Sequence, residues 1–281
     1  MHHKNSRLIP FLILSASIVA IFIMRTLLAA RYDVPRLSDL FNSLTVLGAL
    51  IMCIKYFRSL RGSDWIAALV LGALVAAGML VATLFSPYPF FNVVRGHSEQ
   101  ALVRGLFTFA AVLGGLAIMR QGGPIVLQTA NGDWEKTIQG ILPGLGVGLP
   151  LAVLNVFALQ FTTGRGIAWQ NPGAALLDAF QPAVVEEVIY RFALWGLLWL
   201  ALRKSLPRQS VTLAGLLALL VHNYSHFDDL FIQAPLAALG TGLVLGIIWG
   251  LPAFFLARRR GLESAIAFHW IQDVTRFLSG Y

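Results

Sequence analysis

Apolar residues along this chain gather into runs of about 20, the length an α-helix needs to cross the hydrocarbon core of a bilayer. Charge, proline and glycine punctuate the runs and predict spans near residues 8–30, 39–57, 65–85, 101–119, 137–160, 174–202, 209–227, 231–257 and 262–279. Asp273 and Arg276 interrupt the last run, which is expected to end in the headgroup region instead of crossing fully. The first run follows Lys4 and Arg7 as in a signal peptide. It continues to Ala30 without a small-residue cleavage site, so it reads as a retained helix. The expected fold class is an all-α, polytopic transmembrane helical bundle of about eight to nine spans.

Composition agrees with lipid as the main solvent. Hydrophobic residues make up 57% of 281 positions and charged residues 12%, against about a quarter charged in a soluble domain. The longest polar stretch, Arg120 to Lys136, is too short to bury a core of its own. Gly144, Gly146 and Gly148, and Gly240, Gly242, Gly246 and Gly250, suit the close approach of helix backbones.

The net charge of +8 does not imply a nucleic-acid partner, because the basic residues sit in short clusters between apolar runs and not along one soluble face. With a cytoplasmic N-terminus, Lys4, Arg7, Lys55, Arg58, Arg61, Arg120, Lys136, Arg203, Lys204, Arg208, Arg258, Arg259 and Arg260 fall inside. Only Arg31, Arg36, Arg95, Arg104, Arg165 and Arg276 fall outside, so the positive-inside rule favours that orientation. The lone cysteine, Cys53, excludes an intrachain disulfide and a thiolate cluster.

Polar residues inside the apolar runs carry the chemistry. Glu186 and Glu187 lie near the middle of the sixth run, where a charge costs about 2.5–3.5 kcal/mol and so demands a partner or water. Arg191, four residues after Glu187, supplies one partner on the same helix face. Glu186 is rotated by about 100° from it and is the freer carboxylate, a candidate general base. His222 and His226 share a face if the seventh helix continues that far, though the glutamate that follows the first histidine of a zinc-peptidase helix is absent. His226, before Phe227, Asp228 and Asp229, is expected at the membrane interface. His269 and Asp273 project from one face of the last run.

These residues resemble the motifs of the CAAX proteases and bacteriocin-processing enzymes, the CPBP family of intramembrane proteases. Glu186-Glu187-Val188-Ile189-Tyr190-Arg191 matches the first motif, two glutamates followed after three residues by arginine. His222 fits the second, with Ala218 standing where the family has phenylalanine, and His269 with Asp273 matches the third. The resemblance covers residues 173–281, a catalytic core that shares one membrane domain with about five N-terminal helices over 1–172.

The resemblance implies hydrolysis of a peptide bond by a water activated by glutamate and histidine. Glu186 would be the base, His222 would help hold the water, and His269 and Asp273 would stabilise the oxyanion. Glu187 and Arg191 would support the site, and His226 would stand in reserve for His222. No cofactor is expected; zinc is the alternative, on Glu186, His222, His269 and Asp273. The implied partners are membrane lipid and a peptide or protein substrate, including C-terminal segments, and the implied location is a bacterial inner membrane. A proton- or ion-coupled transporter is the competing function, since buried Glu and His also relay protons. No internal repeat supports it.

Overall fold

The computed structural model describes residues 8–29, 37–85 and 89–281. Lys4, Arg7, Arg31 and Arg36, which enter the charge bias, lie outside the described residues. The chain is a bundle of α1 (Leu8–Ala29), α2 (Leu37–Lys55), α3 (Gly62–Val81), α4 (His97–Met119), α5 (Trp134–Thr163), α6 (Pro172–Asp178), α7 (Phe180–Glu186), α8 (Trp195–Leu202), α9 (Ser210–Tyr224), α10 (Asp228–Gln233), α11 (Pro235–Leu245), α12 (Leu251–Arg260) and α13 (Leu262–Leu278). Two π-helical segments, Glu187–Leu194 and Gly246–Gly250, join α7 to α8 and α11 to α12. Among the described residues no helix-sized run is replaced by strand, and the one bridge pairs Phe90 with Val94.

Among the described residues six helices are long and apolar enough to cross a membrane: α1, α2, α3, α4, α5 and the continuous Pro235–Arg260. Their outward side chains are apolar, as at Phe11, Leu27, Ile54, Leu69, Leu142 and Phe157, which lipid tolerates and water does not. The chain is an integral membrane protein.

The expected single span at 174–202 is interrupted twice. Pro182 has no N–H to offer the Asp178 carbonyl, and the chain turns at Ala179 between α6 and α7. The helix then widens into its π segment immediately after Glu186, and such segments are frequent at functional sites. The expected span at 231–257 is also divided, by Ala234 at φ −150° and Pro235 at the first turn of α11.

Two glycine faces set the distances between helices. Gly140, Gly144 and Gly148 recur every four residues on α5 and meet Arg260, Ser264, Ala267 and Phe268 of α12 and α13, leaving no room for a Cβ. Gly146 faces open space, so it is not part of that seam. Gly242, Gly246 and Gly250 likewise meet Tyr224, Asn223 and Leu219 of α9, whereas Gly240 is open. Because α5 takes the Ser264–Phe268 side of α13, the side bearing His269, Asp273 and Arg276 is left to face inward.

Buried ion and hydrogen-bond pairs hold the ends. Arg120 grips Asp64 through Nε at 3.0 Å and Nη2 at 2.5 Å, and Glu263 accepts from the Thr129 backbone N–H at 2.8 Å. These contacts fasten the polar stretch 120–136 to the bundle. Asp178 accepts three successive backbone N–H groups, from Thr83 at 2.8 Å, from Leu84 and from Phe85 at 3.1 Å, which satisfies the chain leaving α3.

Candidate active site

Three elements converge on Glu186. It ends α7, His222 comes from the last turn of α9, and His269 comes from the middle of α13. Oε2 of Glu186 lies 2.8 Å from His222 Nε2, 3.8 Å from His269 Nε2 and 3.8 Å from His226 Nε2. The carboxylate is therefore ringed by three imidazoles and does not pair with Arg191.

Glu187 is in a different situation. Its side chain is 1% exposed, against 28% for Glu186, and its Oε1 accepts from both Arg191 and His269 Nδ1, the latter at 2.9 Å. The i,i+4 pair with Arg191 forms even though the backbone there is π-helical. Arg191 also brings Nη1 within 3.4 Å of His222 Nδ1. A guanidinium has only hydrogens to present, so a neutral His222 ring carries its proton on Nε2 and donates it to Glu186.

Tyr190 stacks on His222 with ring centroids 4.5 Å apart and 10° between planes. Its ring supplies the aromatic contact, while Ala218, where phenylalanine was expected, is fully buried. On the far side, His269 Nε2 is 3.4 Å from Asp273 Oδ2, and Arg276 holds Asp273 Oδ1 at 2.8 Å.

His226 departs from expectation. α9 ends at Tyr224, so His226 is not on the same helix face as His222. It reaches Glu186 because the chain folds back, with Phe227 in the left-handed region at φ 68°. Arg25 of α1 fixes this corner by donating to the His226 carbonyl at 2.6 Å and pairing with Asp228 at 2.5 Å. The ring remains 47% exposed yet lies 5.5 Å from that of His222, between cavity and surface.

Two adjoining cavities share Glu186, Asn223, His226, Trp249, His269 and Gln272 as lining. The smaller, about 150 Å³, contains Glu187, Arg191 and His222. The larger, about 810 Å³, contains Asp273 and Arg276 and extends to Arg104.

Residues 168–275 match the family model described as type II CAAX prenyl endopeptidase Rce1-like. Over this segment the chain is similar to the CAAX protease family of intramembrane endopeptidases. No curated protein and no solved structure matches the chain. The matched segment begins just before α6 and ends in α13, so it takes in every side chain of the site named above apart from Arg25, Arg104 and Arg276. A protease of that family has a peptide or protein substrate and a membrane setting.

Of the residues that sequence reasoning passed over, Arg25 and Arg104 each left a signal, a cation within an apolar run. Tyr190 lay within the first motif but had no pattern of its own. Arg276 was noted as a charge that interrupts the last run and was counted in the charge bias, and its grip on Asp273 depends on how α13 turns against α5.

Proposed function

We propose that the chain is a protease of this family and cleaves its substrate with a water that Glu186 deprotonates, forming no covalent enzyme intermediate. The observation that carries the reading is the division between the two glutamates. Glu187 is 1% exposed, lines only the smaller cavity and gives Oε1 to Arg191 and His269, whereas Glu186 is 28% exposed and lines both cavities.

His222 holds Glu186 Oε2 from its Nε2–H, which leaves Oε1 to receive the water. The water gives a proton to Glu186 as its oxygen bonds to the scissile carbonyl carbon, and the carbonyl electron pair moves onto oxygen. His269 donates to that oxyanion from Nε2 while Glu187 holds its Nδ1–H, an orientation set before substrate arrives. Glu186 then returns the proton to the leaving nitrogen as the C–N bond breaks. Asp273, already accepting from Arg276, orients His269 and is not itself the oxyanion donor. Glu187 and Arg191 brace the site. The loop charges support a cytoplasmic N-terminus, which turns the wider cavity toward the outer face.

A second reading has its own observation. The donor atoms of Glu186, His222 and His226 lie within 4.8 Å of one another, and a carboxylate with two imidazoles is a zinc donor set. That grouping differs from the set with His269 and Asp273 expected from sequence. A zinc ion held by these three residues would supply a water of lowered pKa. The tautomer that Arg191 imposes on His222 favours the metal-free reading, because it puts a proton on the nitrogen a metal needs.

The test is Glu186→Gln in lipid-reconstituted protein. Cleavage of a peptide library is expected to fall by about 10² or more while melting temperature and yield hold. Undiminished cleavage sinks the assignment. Activity that disappears with a chelator and returns with zinc favours the second reading.

A further inference from the structure

Among the described residues, three of the carboxylates that line the larger cavity are paired. Glu186 takes His222, Asp273 takes Arg276, and Asp228 takes Arg25; Asp229 is exposed at the surface. Arg104, in the second turn of α4, lines the same cavity, and its Nε is buried without a hydrogen-bond partner. It enters no hydrogen bond or ion pair through its side chain among the described residues. The carboxylate that acts on it most strongly is Asp39, which accepts from the Phe91 backbone N–H at 2.9 Å.

A cation in a membrane helix is costly and marks a functional site unless it is paired or reaches water. Arg104 is half-buried, with its Nε shut away and unpartnered on the cavity wall. The cavity wall carries further buried groups without partners, among them Asn42 Oδ1, Gln181 Oε1, Tyr190 OH, Trp249 Nε1, Gln272 Nε2 and Arg276 Nε. The planar fork of N–H donors on a guanidinium matches a carboxylate. Because Glu186 lines the same cavity, that carboxylate is placed on a substrate that also reaches Glu186.

We infer that Arg104 anchors a carboxylate of the substrate in the larger cavity. The inference rests on the proteolytic reading for the word substrate, but the site itself is a binding site and is testable without turnover. The carboxylate comes either from a free peptide C-terminus or from an acidic side chain.

The experiment uses full-length protein with Glu186→Gln, reconstituted in phosphatidylcholine vesicles, and one dansylated alanine- and leucine-rich hexapeptide in three forms. These are the free acid, the C-terminal amide, and the amide with one internal aspartate. Fluorescence anisotropy is expected to show at least one carboxylate form bound about tenfold or more tightly than the neutral amide, the scale of a charge-assisted hydrogen bond. Which form gains identifies the source of the carboxylate.

Adding Arg104→Gln should bring the ratio to about one, and Arg104→Lys, which keeps charge but loses the fork, should retain part of it. The lysine variant decides the matter if the glutamine variant does not fold. Equal binding of all three forms overturns the inference, as does a carboxylate preference that survives Arg104→Gln. A variant whose only defect is weaker association with phosphatidylglycerol vesicles also overturns it, in favour of a lipid phosphate. Selective binding without any cleavage by the protein carrying Glu186 would leave this site standing and remove the proteolytic reading.

Discussion

Glu186 and Glu187 are neighbours in the chain, but their surroundings give them opposite tasks. The last α-helical residue faces the cavities, and the first π-helical residue faces Arg191 and His269. Breaking a buried ion pair by removing one partner costs about 3–5 kcal/mol. Arg191→Ala is therefore expected to lower folded yield in membranes, read by fluorescence-detected size exclusion after extraction. A well-folded, fully expressed variant that has lost cleavage would assign Arg191 to the chemistry instead. The two histidines beside Glu186 also separate by geometry. At 2.8 Å His222 bonds the base directly, and at 3.8 Å His226 does not. His222→Ala should cost about 10² or more in cleavage, and His226→Ala markedly less. Equal losses would show that the two act as a unit, as a shared metal requires.

At the scale of elements, α13 owes its orientation to α5. The Gly140, Gly144 and Gly148 face admits the α12–α13 backbone so closely that a side chain at Gly144 must displace Ser264 or Ala267. Overpacking of this kind costs about 1–3 kcal/mol or more. Gly144→Leu is expected to lower the melting temperature and to disturb the site by rotating or shifting His269 and Asp273. Gly146→Ala, in open space two residues away, is expected to leave melting temperature and cleavage within error. If both variants melt alike, the seam does not set the position of α13.

Across the whole molecule, the least enclosed helix is tied to the site by one cation. Arg25 is 3% exposed although α1 is mostly bare to lipid, and it links α1 to the corner carrying His226, Phe227 and Asp228. Removing it leaves Asp228 without that partner and frees a backbone corner held at positive φ. Arg25→Ala should loosen α1 and raise protease nicking near residues 225–230, and a double-mutant cycle with Asp228→Ala should show coupling. Additive effects of the two substitutions would mean that the pair contributes nothing of its own.

Much of this was legible without coordinates. The length and spacing of apolar runs determined a membrane bundle, because every backbone polar group in lipid must be bonded within a helix. The cost of charge in hydrocarbon singled out Glu186, Glu187, Arg191, His222, His269 and Asp273 before any contact was known. The tertiary structure alone decided how those residues divide the work. That division depends on the π-helical turn after Glu186, on the chain reversal that returns His226 to Glu186, and on the rotation of α13 that joins Arg276 to Asp273. Such features arise from packing between helices far apart in sequence, and a periodicity read within one helix carries no information about the neighbour it will meet.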